Sequence, residues 1–138
     1  MQTVFRIQHK DTGKGMYRHT GRCLASICSS SYDVEYDRHP TPWEDSKLTD
    51  SILEKYDSVG SVIYNESPYL YGFISVDQLR SWLYRDEWLL GLHNEGYILI
   101  VVETDDVYTG NSQAVFTAPN GYVTHSIKEY FNLTDKEI

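Results

Sequence analysis

The chain has 138 residues, too few for two domains with cores of their own, and its 41% hydrophobic and 14% aromatic content excludes a disordered polymer. A formal net charge of −8 argues against direct nucleic-acid binding, because a phosphate backbone would be repelled. The longest apolar run, Ile98 to Val102, is strand-sized and far short of the ~18 residues of a membrane span.

One domain over residues 1–138 is therefore expected. The start, Met1-Gln2-Thr3-Val4-Phe5-Arg6, lacks the basic and apolar blocks of a secretion signal, so a cytoplasmic location is expected. Val4 to His9 alternates apolar and polar residues. Asp11-Thr12-Gly13-Lys14-Gly15 has turn chemistry, and Met16 to His19 can return, which predicts an N-terminal β-hairpin. Gly13 and Gly15 read as positions of positive φ; the spacing is not that of a P-loop.

If residue 9 faces residue 16, then Arg6, Gln8, Tyr17 and His19 share one face. That patch combines a forked cation, an amide, a stacking ring and a switchable donor, a set able to hold a phosphate or nucleotide. The competing reading is a plain solvated sheet face.

Residues 21–45 are irregular. Cys23 and Cys28 are separated by four residues, without the second pair that a metal site needs, and a buried structural role is expected for both. His39-Pro40-Thr41-Pro42-Trp43 reads as a stiff, extended loop, since two prolines two apart oppose helix. Trp43, with His39, Pro40 and Pro42, is a candidate partner-binding anchor. The alternative is that Trp43 pins its own loop to the core.

Asp45 or Ser46 is placed to cap a helix carrying Leu48, Ile52, Leu53 and Tyr56 on one face, and Ser61 to Tyr64 fits a short strand. Ser75 and Gln78 form a capping box, followed by Leu79, Trp82 and Leu83 at helical spacing. A further helix starts at Asp86, carries Trp88, Leu89 and Leu92, and stops at Gly96. Tyr97 to Val102 is apolar on both faces, the pattern of a central strand. Gln113 to Thr117 is another strand, ending at Pro119-Asn120-Gly121. Ser126 and Glu129 form a second capping box, with Ile127, Tyr130 and Phe131 turned inward.

The fold class predicted is α+β: a mixed or antiparallel sheet with strands 97–103 and 113–117 central, an N-terminal hairpin beside it, and three to four short covering helices. The five histidines show no metal-ligand spacing, no nucleophile elbow is present, and no carboxylate pair stands out, so no metal and no catalytic residue is assigned.

Several of these segments together resemble small proteins of tailed bacteriophages and prophages. The residues are Phe5 to Arg18, His39 to Asp45, Tyr71 to Ser75 with Gln78 to Trp82, and Gln113 to Phe116. The resemblance implies a phage accessory protein acting inside an infected bacterium. The leading functional expectation is a non-enzymatic protein that binds and blocks a host protein, such as an antiviral defence factor.

The order of Arg6, Phe73 with Ser75, and the strand opening at Gln113 is also similar to the ADP-ribosyltransferase fold. That family has a first-strand Arg or His, a middle aromatic/Ser segment and a late strand led by a catalytic Glu. Gln113 stands where the carboxylate is expected, and an amide cannot stabilise an oxocarbenium-like transition state. The resemblance therefore implies a cleft for NAD or a related signalling nucleotide, with candidate ligand residues Arg6, Gln8, Tyr17, His19, Ser75 and Gln113. A virion or assembly component is a third reading. The oligomeric state is left open.

Overall fold

The computed structural model describes residues 1–15, 42–63 and 68–133. Tyr17, His19, Cys23, Cys28, His39, Pro40 and Tyr64, with the return arm of the expected hairpin, lie outside the described residues.

The alternating segment at the N-terminus forms β1 (Gln2–His9), and the apolar segment forms β3 (Tyr97–Thr104). They pair antiparallel over their whole length, from Gln2↔Thr104 to His9↔Tyr97. The other edge of β3 takes β6 (Val123–His125), with Ile100 opposite Thr124, so β3 is central as its two-faced apolar pattern requires. A second antiparallel sheet has the order β2 (Leu70–Gly72), β5 (Ala114–Phe116), β4 (Val107–Thr109).

The fold class is α+β, with a difference in arrangement: the two expected central strands are each central in a separate three-stranded sheet. The sheets meet where Phe5 and Phe73 exchange backbone hydrogen bonds of 2.7 Å each. Gly72 allows this approach, because a Cβ there would lie 2.6 Å from the Phe5 carbonyl oxygen.

Strand parity sets the layers. Odd-numbered Ile7, Tyr97 and Leu99 pack under α3 (Val76–Trp82), α4 (Asp86–Asn94) and α5 (Ile127–Tyr130), against Leu79, Trp82, Trp88, Leu89, Leu92 and Ile127. Even-numbered Val4, Ile100 and Val102 meet Phe116 in a layer between the sheets, flanked by Leu70 and Val107. On the far face of the second sheet, Tyr108 and Val115 pack against Leu48 and Ile52 of α1 (Ser46–Leu53) and Val62 and Ile63 of α2 (Gly60–Ile63). The order through the molecule is helices, sheet, sheet, helices.

The caps follow the sequence. Asp45, Ser75 and Ser126 each accept a hydrogen bond from a backbone N–H of their helix: Leu48, Gln78 and Glu129. Gln78 reaches back as expected, though to the Ile74 N–H at 3.0 Å rather than to that of Ser75. Gly96 closes α4 at φ 95°, and His93 sits in its last turn.

Six expectations are corrected. Gly13 has the expected positive φ, at 72°, but Gly15 does not; its lack of a Cβ instead leaves room for the Arg6 side chain. Residues 60–63 are helical, not a strand, because Val62 and Ile63 insert together against Val115. Pro42–Glu44 is a 3-10 turn rather than extended chain, which a leading proline permits. Leu53 ends α1 half exposed, outside the buried stripe of Leu48 and Ile52. Tyr130 points outward beside His125, with ring centroids 5.2 Å apart. The bridge at the N-terminal turn joins Gln8 to Gly15, two residues off the expected register, because the His9 and Gly13 backbones close a tighter loop. No helix among the described residues is long and apolar enough to cross a membrane.

Candidate functional site

Arg6 lies on the even face of β1, directly opposite Ile100, so strand geometry turns a cation toward the layer between the sheets. It is only 7% exposed, and Gln8 beside it is buried too. The expected solvated face is thus an interior one. The guanidinium Nε donates to Gln8 Oε1 at 2.9 Å, Nη1 to the Tyr71 carbonyl at 2.9 Å and Nη2 to the Gly13 carbonyl at 3.2 Å. Gly15 closes over the fork; a Cβ there would sit 3.3 Å from both terminal nitrogens. Gln8 Nε2 in turn donates to the Tyr122 hydroxyl at 3.5 Å, and Tyr122 is 50% exposed, so the buried network reaches the surface there.

Among the described residues the Arg6 guanidinium donates to neutral groups and no carboxylate pairs with it. Burial lowers its pKa to about 10, while the neighbouring Tyr71 and Tyr122 phenols act in the opposite sense. A guanidinium has five N–H groups, and three of these are engaged among the described residues.

Ser75 and Gln113 belong to a different cluster. The Ser75 hydroxyl caps α3, and the buried Gln113 accepts from the Gly110 N–H at 2.8 Å across the β4–β5 turn. Gln78 Nε2 bonds the same turn through the carbonyls of Gly110 and Asn111, at 3.3 Å and 3.2 Å. Asp45 anchors its other side. Oδ1 accepts from the Leu48 and Asn111 N–H groups, and Oδ2 accepts from the N–H and Oγ of Ser112, both at 2.8 Å. Burial alone would raise the Asp45 pKa, but the hydrogen bonds from Ser112, Asn111 and Leu48 outweigh it and hold the carboxyl below its usual range. The structure thus joins Arg6 to Gln8 directly, whereas Ser75 and Gln113 are linked only through Gln78 and the β4–β5 turn.

Trp43, on the 3-10 turn ahead of α1, is 45% exposed. Sequence reasoning missed two polar features. Tyr122 joins the Arg6–Gln8 network through its hydroxyl, yet it stands in a loop-like Pro-Asn-Gly context with no periodicity to mark it. Tyr69 donates to Asp106 Oδ1 at 3.0 Å and lies 3.2 Å from the Tyr56 hydroxyl, with the buried Tyr108 ring beside both. Burial pushes the Tyr108 phenol up to about 12 and raises Tyr69 further, so both remain protonated at neutral pH. Among the described residues no three His, Cys, Asp or Glu side chains cluster as metal ligands.

Compared with known proteins, the family described as Bacteriophage T4 Y00F protein matches residues 1–128. No curated protein and no solved structure matches the chain. With that match covering most of its length, and the fold above formed from the same residues, the chain belongs to the Bacteriophage T4 Y00F protein family and is a small phage protein.

Proposed function

We propose that the protein is a non-enzymatic binder of a small anionic ligand, a phosphate-bearing nucleotide by preference, which it sequesters in the infected cell. The observation supporting this reading is the buried Arg6 guanidinium without a carboxylate partner among the described residues. A buried cation is costly until an anion compensates it, so a ligand phosphate would gain both Coulomb energy and charge-assisted hydrogen bonds there. In this reading the N–H groups of Arg6 not engaged among the described residues serve the anion, and the half-exposed Tyr122 ring stacks with a base.

Thermal unfolding with inorganic phosphate, AMP, a cyclic nucleotide and NAD tests this directly. Ligand at ~100 times its Kd should stabilise the wild type by about 2.7 kcal/mol. Tyr122→Ala, at a half-exposed position, should keep the fold and lower affinity for nucleotides more than for phosphate. A wild type unmoved by every one of these ligands at millimolar concentration would overturn the reading.

The exposed Trp43 favours a second reading, capture of a host protein such as a defence factor, with this indole as anchor. Trp43→Ala should then lose a stoichiometric partner that the wild type retains from bacterial lysate. Retention of the same partner by both proteins would remove Trp43 from the argument.

A further inference from the structure

The outer edge of β6 carries an observation that the Arg6 network does not use. β6 pairs with β3 on one side only among the described residues. Such edges are ordinarily guarded by lysine, proline or an inward-pointing charge. Here none of these interrupts the strand: Val123-Thr124-His125 is flanked by Tyr122 and Ser126, and no Asp, Glu, Lys or Arg occurs from residue 107 to residue 127. Val123 is 61% exposed, and Tyr130, 39% exposed, extends the apolar surface through its ring contact with His125.

We infer that β6 is a self-association edge, on which a second copy of this chain pairs β6 to β6, antiparallel across a twofold axis. Charge distribution selects this occupant. Two copies of a chain with net charge −8 repel over most of their surfaces. β6 and its flanks, Gly121 to Ile127, carry no Asp, Glu, Lys or Arg and can meet themselves without opposing like charges in the strand, and a twofold makes a neutral strand complementary to its own copy. A basic partner would instead be drawn to the acidic surfaces. The strand has three residues, so the contact is weak and concentration-dependent. Screening the mutual repulsion strengthens it, the reverse of an ion-paired interface.

Sedimentation of the full chain from micromolar to millimolar concentration, at low and high salt, tests the inference. The mass should rise from 16.0 kDa toward the dimer value with concentration, and more readily in high salt. Val123→Glu and Val123→Lys should each remain monomeric, because the charge meets its own copy across the axis. A mixture of the two variants should regain the dimer. Circular dichroism should report unchanged folding for both, since Val123 is exposed. A wild type that stays monomeric at millimolar concentration in high salt overturns the inference. So does a dimer that Val123→Glu leaves intact, or a loss in that variant confined to binding another protein.

Discussion

Asp45 ties α1 to the β4–β5 turn through one carboxylate that receives bonds from Leu48, Asn111 and Ser112. Its helix-capping role is legible from its place before Leu48 and Ile52. The contact with Ser112 is not legible, because sixty-seven positions separate the partners and no local pattern spans them. Asp45→Ala should destabilise the protein by about 3 kcal/mol in urea unfolding at neutral pH, given what hydrogen bonds to a charged group contribute. Since the folded carboxyl titrates below its ordinary value, its stabilisation is complete above about pH 4 and is lost as pH falls through the folded value. The gap between wild type and Asp45→Asn should therefore narrow in acid; a gap that widens would contradict this assignment. Gly110 is the counterpart, because a Cβ there would lie 2.4 Å from Asp45 Oδ2 and 2.7 Å from the Leu48 Cβ. Gly110→Ala should cost about 2 kcal/mol, an overpacking effect read as a lower urea midpoint. Arg6 was legible as a chemically useful residue. Its burial was not, since Val4, Arg6 and Gln8 face a second sheet that only the folded chain brings near.

At the scale of elements, segments with a long pattern or a capping or turn signal declared themselves, including the short β5 and α5, and short segments without one did not. β1 and β3 carry their patterns over eight residues each, and α3, α4 and α5 follow from capping serines, an acidic start and apolar spacing. β2, β4 and β6 have three residues each, too few for alternation to show. The 60–63 segment was misread for another reason: Val62 and Ile63 favour strand, but packing beside α1 decides the outcome. Ser75→Ala should lower stability by about 1 kcal/mol, because it removes the hydroxyl that accepts from Gln78. Gly72→Ala should cost up to ~3 kcal/mol as overpacking, since its Cβ would also meet Phe116 Cε1 at 2.9 Å where the sheets join. Amide exchange that remained unchanged at Phe5 and Phe73 in that variant would show that the junction bears no strain.

Across the whole molecule, acidity and the buried Arg6 act in opposite directions. The net charge of −8 repels anions at long range, whereas the buried guanidinium favours one at contact. Moderate salt should therefore speed ligand association by screening the surface, a reversal of the usual behaviour of a basic binding groove. Titration calorimetry of the full chain with AMP and with inorganic phosphate, wild type against Arg6→Lys, tests the central claim most directly. A lysine keeps a charge but loses the fork. One ligand per chain in the wild type, and at least about tenfold weaker binding in the folded variant, is the result predicted here. Equal affinities in the two proteins, or no heat from either ligand with the folded wild type, would contradict it.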